Sequence, residues 1–230
     1  MRTGPNPGDG RIPGRNEIRA LHERHAPTQA AFENVYSHCV MVWRVAEQLL
    51  TGAGERHGGL TDVDADLVRA GCLLHDVGVY RLFDDAGALD YAGYMRHGVL
   101  GYELLAEAGY PETICRFASR HTGVGITRED VIRQELPLPP ADYVAETPEE
   151  ALVMYADKFH TKATPPSFLS ADFYASYVRR FGAEKVTAFH ELRDRFGEPD
   201  LAPLSAASGQ PIRENFLLLS FPTETPAHLL

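Results

Sequence analysis

Six side chains in this sequence have the types and spacing of metal ligands: His38, the adjacent pair His75-Asp76, then His97, His121 and Asp157. The pair closes an apolar run, Leu67-Val68-Arg69-Ala70-Gly71-Cys72-Leu73-Leu74, and is followed by Val77-Gly78. An imidazole and a carboxylate side by side against buried neighbours are costly unless something pairs them. A divalent cation would do so. Histidine nitrogens and carboxylate oxygens suit borderline first-row ions: Fe, Mn, Co, Ni or Zn. Asp76 has two oxygens and can bridge two ions. A two-ion site would place His38, His75, Asp76 and Asp157 on one ion and Asp76, His97 and His121 on the other. Paired ions can share a hydroxide and clamp the oxygens of a phosphoryl group.

The elements that must position these groups read as helices. Phe32, Val35, Tyr36, Cys39, Val42, Trp43, Ala46 and Leu49 or Leu50 recur at helical spacing behind a Thr28 cap. Gly52, Gly54, Gly58 and Gly59 predict a loop. Asp62 or Asp64 opens a helix that ends near His75, with Gly78 helping to stop it. Residues 79–95 read as irregular. Helices follow over about 96–108, 111–121 and 127–136. Pro137, Pro139 and Pro140 force an extended connector. Thr147-Pro148-Glu149-Glu150 is a helix start, and the helix it opens carries Asp157. Two more helices fit residues 170–181 and 183–196.

This gives an all-α bundle over residues 16–197, preceded by a Gly- and Pro-rich segment (1–15) expected to be disordered. A Pro-rich C-terminal tail (198–230) follows, with one apolar run, Phe216 to Phe221, that could pack as a strand or strap. Each candidate ligand falls on or at the end of a different helix, the His75-Asp76 pair excepted. A bundle can aim such groups at one interior point.

Bulk properties narrow the partners. The chain has 230 residues, 44% hydrophobic and 23% charged, enough for one domain with a core. Its net charge of −10 argues against a nucleic-acid duplex or an anionic membrane as partner. Cys39, Cys72 and Cys115 lie in apolar helical patterns and read as reduced thiols. The start lacks the apolar core of a signal peptide, and no run is long enough to cross a membrane, so a cytoplasmic protein is expected.

The ordered set His38…His75-Asp76…Asp157 resembles the H…HD…D signature of the HD-domain superfamily of metal-dependent phosphohydrolases. His75-Asp76-Val77-Gly78 resembles its His-Asp-Ile-Gly form, and Ala156-Asp157-Lys158 its closing Ala-Asp-Lys. Arg96-His97-Gly98-Val99-Leu100-Gly101 resembles the stretch where many members carry another histidine at a helix start. The resemblance covers about residues 28–163. It implies a helical metallohydrolase, and His97 and His121 imply the binuclear branch. Three departures stand out. Asn34 occupies the position where members that hydrolyse cyclic-di-GMP carry a glutamate ligand. Thr122, not a second histidine, follows His121, and Val79 and Tyr80 stand where many members carry a lysine. These point away from cyclic-di-GMP and require a phosphate-binding cation from elsewhere.

The expected activity is hydrolysis of a nucleotide or other small phosphoester, with Asp76 at the centre and Lys158 and Arg120 as anion-binding catalytic groups. The same six ligands would also serve a mixed-valence di-iron oxygenase of this superfamily, or a module that binds a nucleotide without turning it over. The remaining histidines read as bystanders: His22 and His25 on a polar helix, His57 in a Gly loop, His190 and His228 elsewhere. His160, three residues after Asp157, could face the same cavity.

Overall fold

Ten α-helices, three short 3-10 segments and a small sheet make up the computed structural model, which describes residues 11–56, 60, 63–84 and 86–214. The Gly-rich start up to residue 10, the loop positions of Gly58 and Gly59, Asp62, and the Phe216–Phe221 run lie outside the described residues.

Helix α1 (Arg15–His25) leads into α2 (Gln29–Arg56), which Thr28 caps by accepting from the Ala31 amide at 3.1 Å. The α2 stripe of Val35, Cys39, Val42, Trp43, Ala46 and Leu49 is buried, as the periodicity predicts. Each large apolar side chain so buried contributes about 1.5–3 kcal/mol. α2 runs past Gly52 and Gly54, where the sequence predicts a loop. Extending an established helix by one residue costs little, so the ~1 kcal/mol penalty of each glycine is tolerated.

Helix α3 (Ala65–Leu74) starts at Asp64, whose carboxylate accepts from the amides of Asp66 and Leu67. The chain then turns through a 3-10 segment (Val77–Leu82), and a second one (Tyr94–Arg96) leads into α4 (His97–Glu107). Gly78 does not stop a helix; it sits inside the first 3-10 segment. A Cβ there would lie 2.1 Å from the His97 carbonyl oxygen and 2.2 Å from the Gly101 nitrogen. Glycine is required because two backbones touch.

Helix α5 (Glu112–Ser119) and the short α6 (Arg128–Arg133) precede the Pro-rich connector, and α7 (Pro148–Asp157) follows it. Thr147 caps α7 through the Glu150 amide. The Glu150 carboxylate turns instead to Arg116 (2.6 Å) and the Glu146 amide (2.7 Å), tying α7 to α5. Beyond α7 lie β1 (His160–Thr161), β2 (Ser167–Leu169), α8 (Ala171–Val178), a third 3-10 segment (Arg179–Phe181) and α9 (Ala183–Phe196).

Within the Pro-rich tail, residues 201–213 add a helix and a strand. In α10 (Leu201–Ser208), Pro203 sits in the first turn, where no intrahelical donor is needed. Gly209 ends it in a left-handed conformation at φ 71°. Strand β3 (Ile212–Arg213) then pairs parallel to β2, which pairs antiparallel to β1. α2 and α3 pack on α7, and α4 packs on α5. Ends of α3, α4, α5 and α7 come together beside the interior of α2 at His38.

Candidate metal centre

All six sequence-predicted ligands converge. His38 stands mid-way along α2, and His75-Asp76 close α3. His97 opens α4, His121 follows α5, and Asp157 ends α7. His38 Nε2 lies 3.0 Å from Asp157 Oδ1, 3.3 Å from Asp76 Oδ2 and 3.3 Å from His75 Nε2. His75 Nε2 is 3.5 Å from Asp76 Oδ2 and 3.4 Å from Asp157 Oδ1. On the other side, Asp76 Oδ1 is 3.6 Å from His97 Nε2 and 3.5 Å from His121 Nε2. His38, His75 and Asp157 form one mutually close trio, and His75, Asp76 and His121 form another. All four imidazoles and Asp76 are buried.

Three observations say that these groups fit a divalent metal. First, donors bonded to one ion at ~2.0–2.2 Å stand roughly 2.8–3.6 Å apart at tetrahedral or octahedral angles, which is the spacing found. Second, Asp76 Oδ1 is buried without a hydrogen-bond partner. An orphaned carboxylate oxygen inside a protein is costly.

The third observation is the tautomer pattern. His75 Nδ1 donates to the Cys72 carbonyl, His97 Nδ1 to the Tyr94 carbonyl and His121 Nδ1 to the Ala118 carbonyl, each at 2.7 Å. A carbonyl only accepts, so each Nδ1 carries its proton and each neutral ring presents a lone pair at Nε2. His97 Nε2 and His121 Nε2 then face each other at 2.9 Å, lone pair to lone pair. That contact is repulsive unless a cation sits against both. Outer partners that fix the ring in this way are the usual company of metal-binding histidines.

The electrostatics agree. Burial opposes a charge on Asp76, but the Lys162 ammonium and His75 overcome it and hold the carboxyl well below its ordinary range. Burial likewise works against Asp157, and Lys158 with the hydrogen bonds from His38 and His75 reverses it. Burial and the neighbouring His121 lower His97 to about 3. Burial and Lys162 keep His38 well below its ordinary value. His75 goes the other way. Burial favours its neutral form, but the Asp76 charge outweighs this and raises its pKa. The surroundings thus favour the ionised form of both carboxyls, and burial favours the neutral form of His38, His97 and His121, the forms that bind metal.

The expected anion binders divide. Lys158 lines the cavity but donates to Asp157 Oδ2 (2.6 Å) and the His121 carbonyl (3.0 Å), so it positions two ligand segments. Arg120 does not reach the cluster. Its guanidinium donates to the Val144 carbonyl at 3.0 Å and pairs with Glu146 at 2.5 Å, anchoring the connector before α7. Positions 79 and 80 carry no cation, but the Lys162 ammonium reaches the cluster and contacts Asp76 Oδ2. Sequence reasoning passed over it. It lies one residue beyond β1 (His160–Thr161), a strand too short to leave an alternation in the sequence. Asn34, four residues before His38, donates to the Lys162 carbonyl at 3.2 Å and so fixes that segment.

His160 does belong to the centre's surroundings, its Nδ1 lying 2.8 Å from His38 Nδ1. His22 is no polar-surface residue. It is fully buried, with Nδ1 against the Tyr80 hydroxyl (2.8 Å) and Nε2 against the Leu73 carbonyl (2.7 Å). Both its nitrogens are engaged, so it pins α1 to α3. His190 is exposed, while His57 and His228 lie outside the described residues.

A cavity of about 240 Å³ opens onto the cluster. His38, Asp76, His97, His121, Asp157 and Lys162 form its floor. Ile126, Tyr174, Tyr177 and Phe181 give much of the remaining wall an apolar, aromatic character.

The HD domain family profile matches residues 35–162. An uncharacterized protein of Methanocaldococcus jannaschii is 41% identical over 132 residues, which are 56% of this chain and 69% of that one. The tRNA (cytidine(56)-2'-O)-methyltransferase of Picrophilus torridus is 40% identical over 94 residues, 41% of this chain and 24% of that protein. The chain thus spans about a quarter of that methyltransferase. Among solved structures, the HD domain of the L. monocytogenes phosphodiesterase PgpH is 19% identical with a TM-score of 0.45, covering 79% of this chain and 86% of that one. Among the described residues, no helix is long and apolar enough to cross a membrane.

Proposed function

From the premise that the chain belongs to the HD domain family, whose profile spans more than half of it, we propose that it is a metal-dependent phosphohydrolase acting on a small phosphoester such as a nucleotide. The observation that carries this reading is the division of Asp76. Its Oδ2 faces His38 and His75, while its unpartnered Oδ1 faces His97 and His121. That division suits two ions, one held by His38, His75, Asp76 and Asp157 and a second by Asp76, His97 and His121. Bound there, divalent ions supply a hydroxide nucleophile and neutralise phosphoryl oxygens.

The chain's own residues do the rest. The backbone carbonyls of Cys72, Tyr94 and Ala118 hold three rings with Nε2 inward. Lys158 keeps Asp157 ionised and in place. Lys158 and Lys185 at the cavity wall are each tied to a main-chain carbonyl and a carboxylate. Lys162 is bonded to Asp76 itself. A phosphoryl oxygen arriving at the cluster meets that ammonium, which stays charged because Asp76 more than offsets its burial. With one such cation on the floor and a small, partly aromatic cavity, a single phosphate on an uncharged body fits better than a polyphosphate.

The test is hydrolysis by protein loaded with Mn, Co or Ni against monophosphates, polyphosphates and diesters. Phosphate release that Asp76→Asn abolishes, and that Lys162→Met weakens mainly through KM, supports the reading. No turnover across the panel overturns it. So does an oxygen-reactive Fe(II)/Fe(III) resonance signal with no phosphate release.

A further inference from the structure

Three of the four cluster histidines have their Nδ1 proton fixed by a carbonyl three residues earlier. His38 has no such partner. It lies in the interior of α2, where main-chain carbonyls are engaged in the helix. Its Nδ1 instead meets His160 Nδ1 at 2.8 Å, and His160 Nε2 meets Gln210 Oε1 at 2.8 Å.

These contacts allow one proton arrangement that leaves His38 Nε2 free to bind metal. If Nε2 is to be a lone pair, His38 Nδ1 must donate. His160 Nδ1 must then accept, so the proton of His160 sits on Nε2. That nitrogen needs an acceptor, and Gln210 Oε1 is one. A donor in its place would drive the chain the other way and put a proton on His38 Nε2, where a ligand lone pair is needed.

The fold holds the relay in place. His160 is in β1, registered against Phe168 of β2, and Phe168 is registered against Ile212 of β3. The Phe168 amide donates to the Pro211 carbonyl at 2.9 Å, next to Gln210. The Gln210 carbonyl in turn accepts from the Ser205 hydroxyl of α10 at 2.7 Å. Gln210 also lies 48 positions past the end of the family match at residue 162.

We propose that His160 and Gln210 are positioning residues that set the tautomer of His38, so that the C-terminal α10–β3 segment completes a metal centre whose ligands all lie within the HD domain match. This rests on the metal-dependent reading above. The tests separate the two.

Full-length protein is compared with Gln210→Glu, which can only accept, Gln210→Lys, which can only donate, and Gln210→Met, which does neither. Zn(II) and Co(II) affinities are measured by chelator competition, and histidine tautomers by long-range 15N–1H correlation with and without Zn(II). Gln210→Glu should bind as the parent does and, in the Zn(II)-bound form, keep His38 protonated at Nδ1. Gln210→Lys should lose about 10–100-fold in affinity at one of the two ions, the range expected for outer-sphere partners. With Zn(II) present, the fraction of His38 protonated at Nδ1 should be lower than in the parent. Gln210→Met should fall between. Equal affinities and unchanged tautomers in all three variants overturn the inference while leaving the metal reading standing. A parent protein that binds no divalent ion overturns both. Thermal unfolding of each variant identifies any loss of fold, and the Gln210→Glu and Gln210→Lys pair then decides by the sign of their difference.

Discussion

The four histidines of the centre are held by two different means. His75, His97 and His121 stand at helix ends, and each is oriented by a carbonyl of its own turn. His38 stands within α2 and is oriented by a side chain 122 residues away, itself held by Gln210. A helix C-terminus offers carbonyls without intrahelical partners at His75 and His121, and the 3-10 turn before α4 offers that of Tyr94 at His97, so each of these rings is oriented by local chain. A helix interior offers none, and tertiary structure must supply the partner. Errors in the local kind should therefore come from the backbone, and errors in the remote kind from side chains or strand register.

The largest effect is expected where the two sides share a group. Asp76→Asn removes a charge from both, and hydrolysis should fall to background with metal content reduced at both ions, read by elemental analysis and phosphate release. Next comes Gly78→Ala, which attacks the helix-end side through the backbone. The new Cβ would meet the His97 carbonyl oxygen at 2.1 Å. Overpacking against a backbone that cannot yield should cost about 3 kcal/mol in denaturant unfolding. Under the proposed two-ion reading, the protein that remains folded should lose the ion at His97 and His121 before the ion at His38. Equal loss at both would erase the distinction between the sides. A smaller effect sharpens it. Cys72→Ala keeps the carbonyl that orients His75, so metal affinity should stay within about twofold, with a packing cost of about 1–2 kcal/mol.

The same distinction explains what was legible in the sequence. His75, His97 and His121 could be placed because the ordered motif and the apolar runs beside it locate the segments they occupy. The bundle was legible from apolar spacing, and α2 departed only in running through Gly52 and Gly54. Lys162 and Gln210 were not legible. Neither lies in a periodic segment, and their roles depend on a three-stranded sheet of two- and three-residue strands. Strands so short leave almost no alternation to read. Arg120 was misjudged for a related reason. Adjacency to His121 says nothing about direction, and its side chain points along the connector to Glu146.

His22 gives the comparison its control, since it is buried like the ligands but has both nitrogens engaged by protein. Burial lowers its pKa to about 4 from 6.5. Between those values the unfolded chain binds a proton that the folded chain refuses, so this group's contribution to stability falls as pH drops through the window. At pH 5.5 the loss is about 1 kcal/mol, with the larger part below it. His22→Gln should flatten the pH dependence of unfolding of the metal-free protein between pH 6.5 and 4 and leave metal affinity within about twofold of the parent. If His22→Gln instead weakened one ion as strongly as Gln210→Lys, burial beside the cluster would suffice to tune a ligand. The orientation of individual ring nitrogens would then cease to distinguish a metal-binding histidine from a structural one.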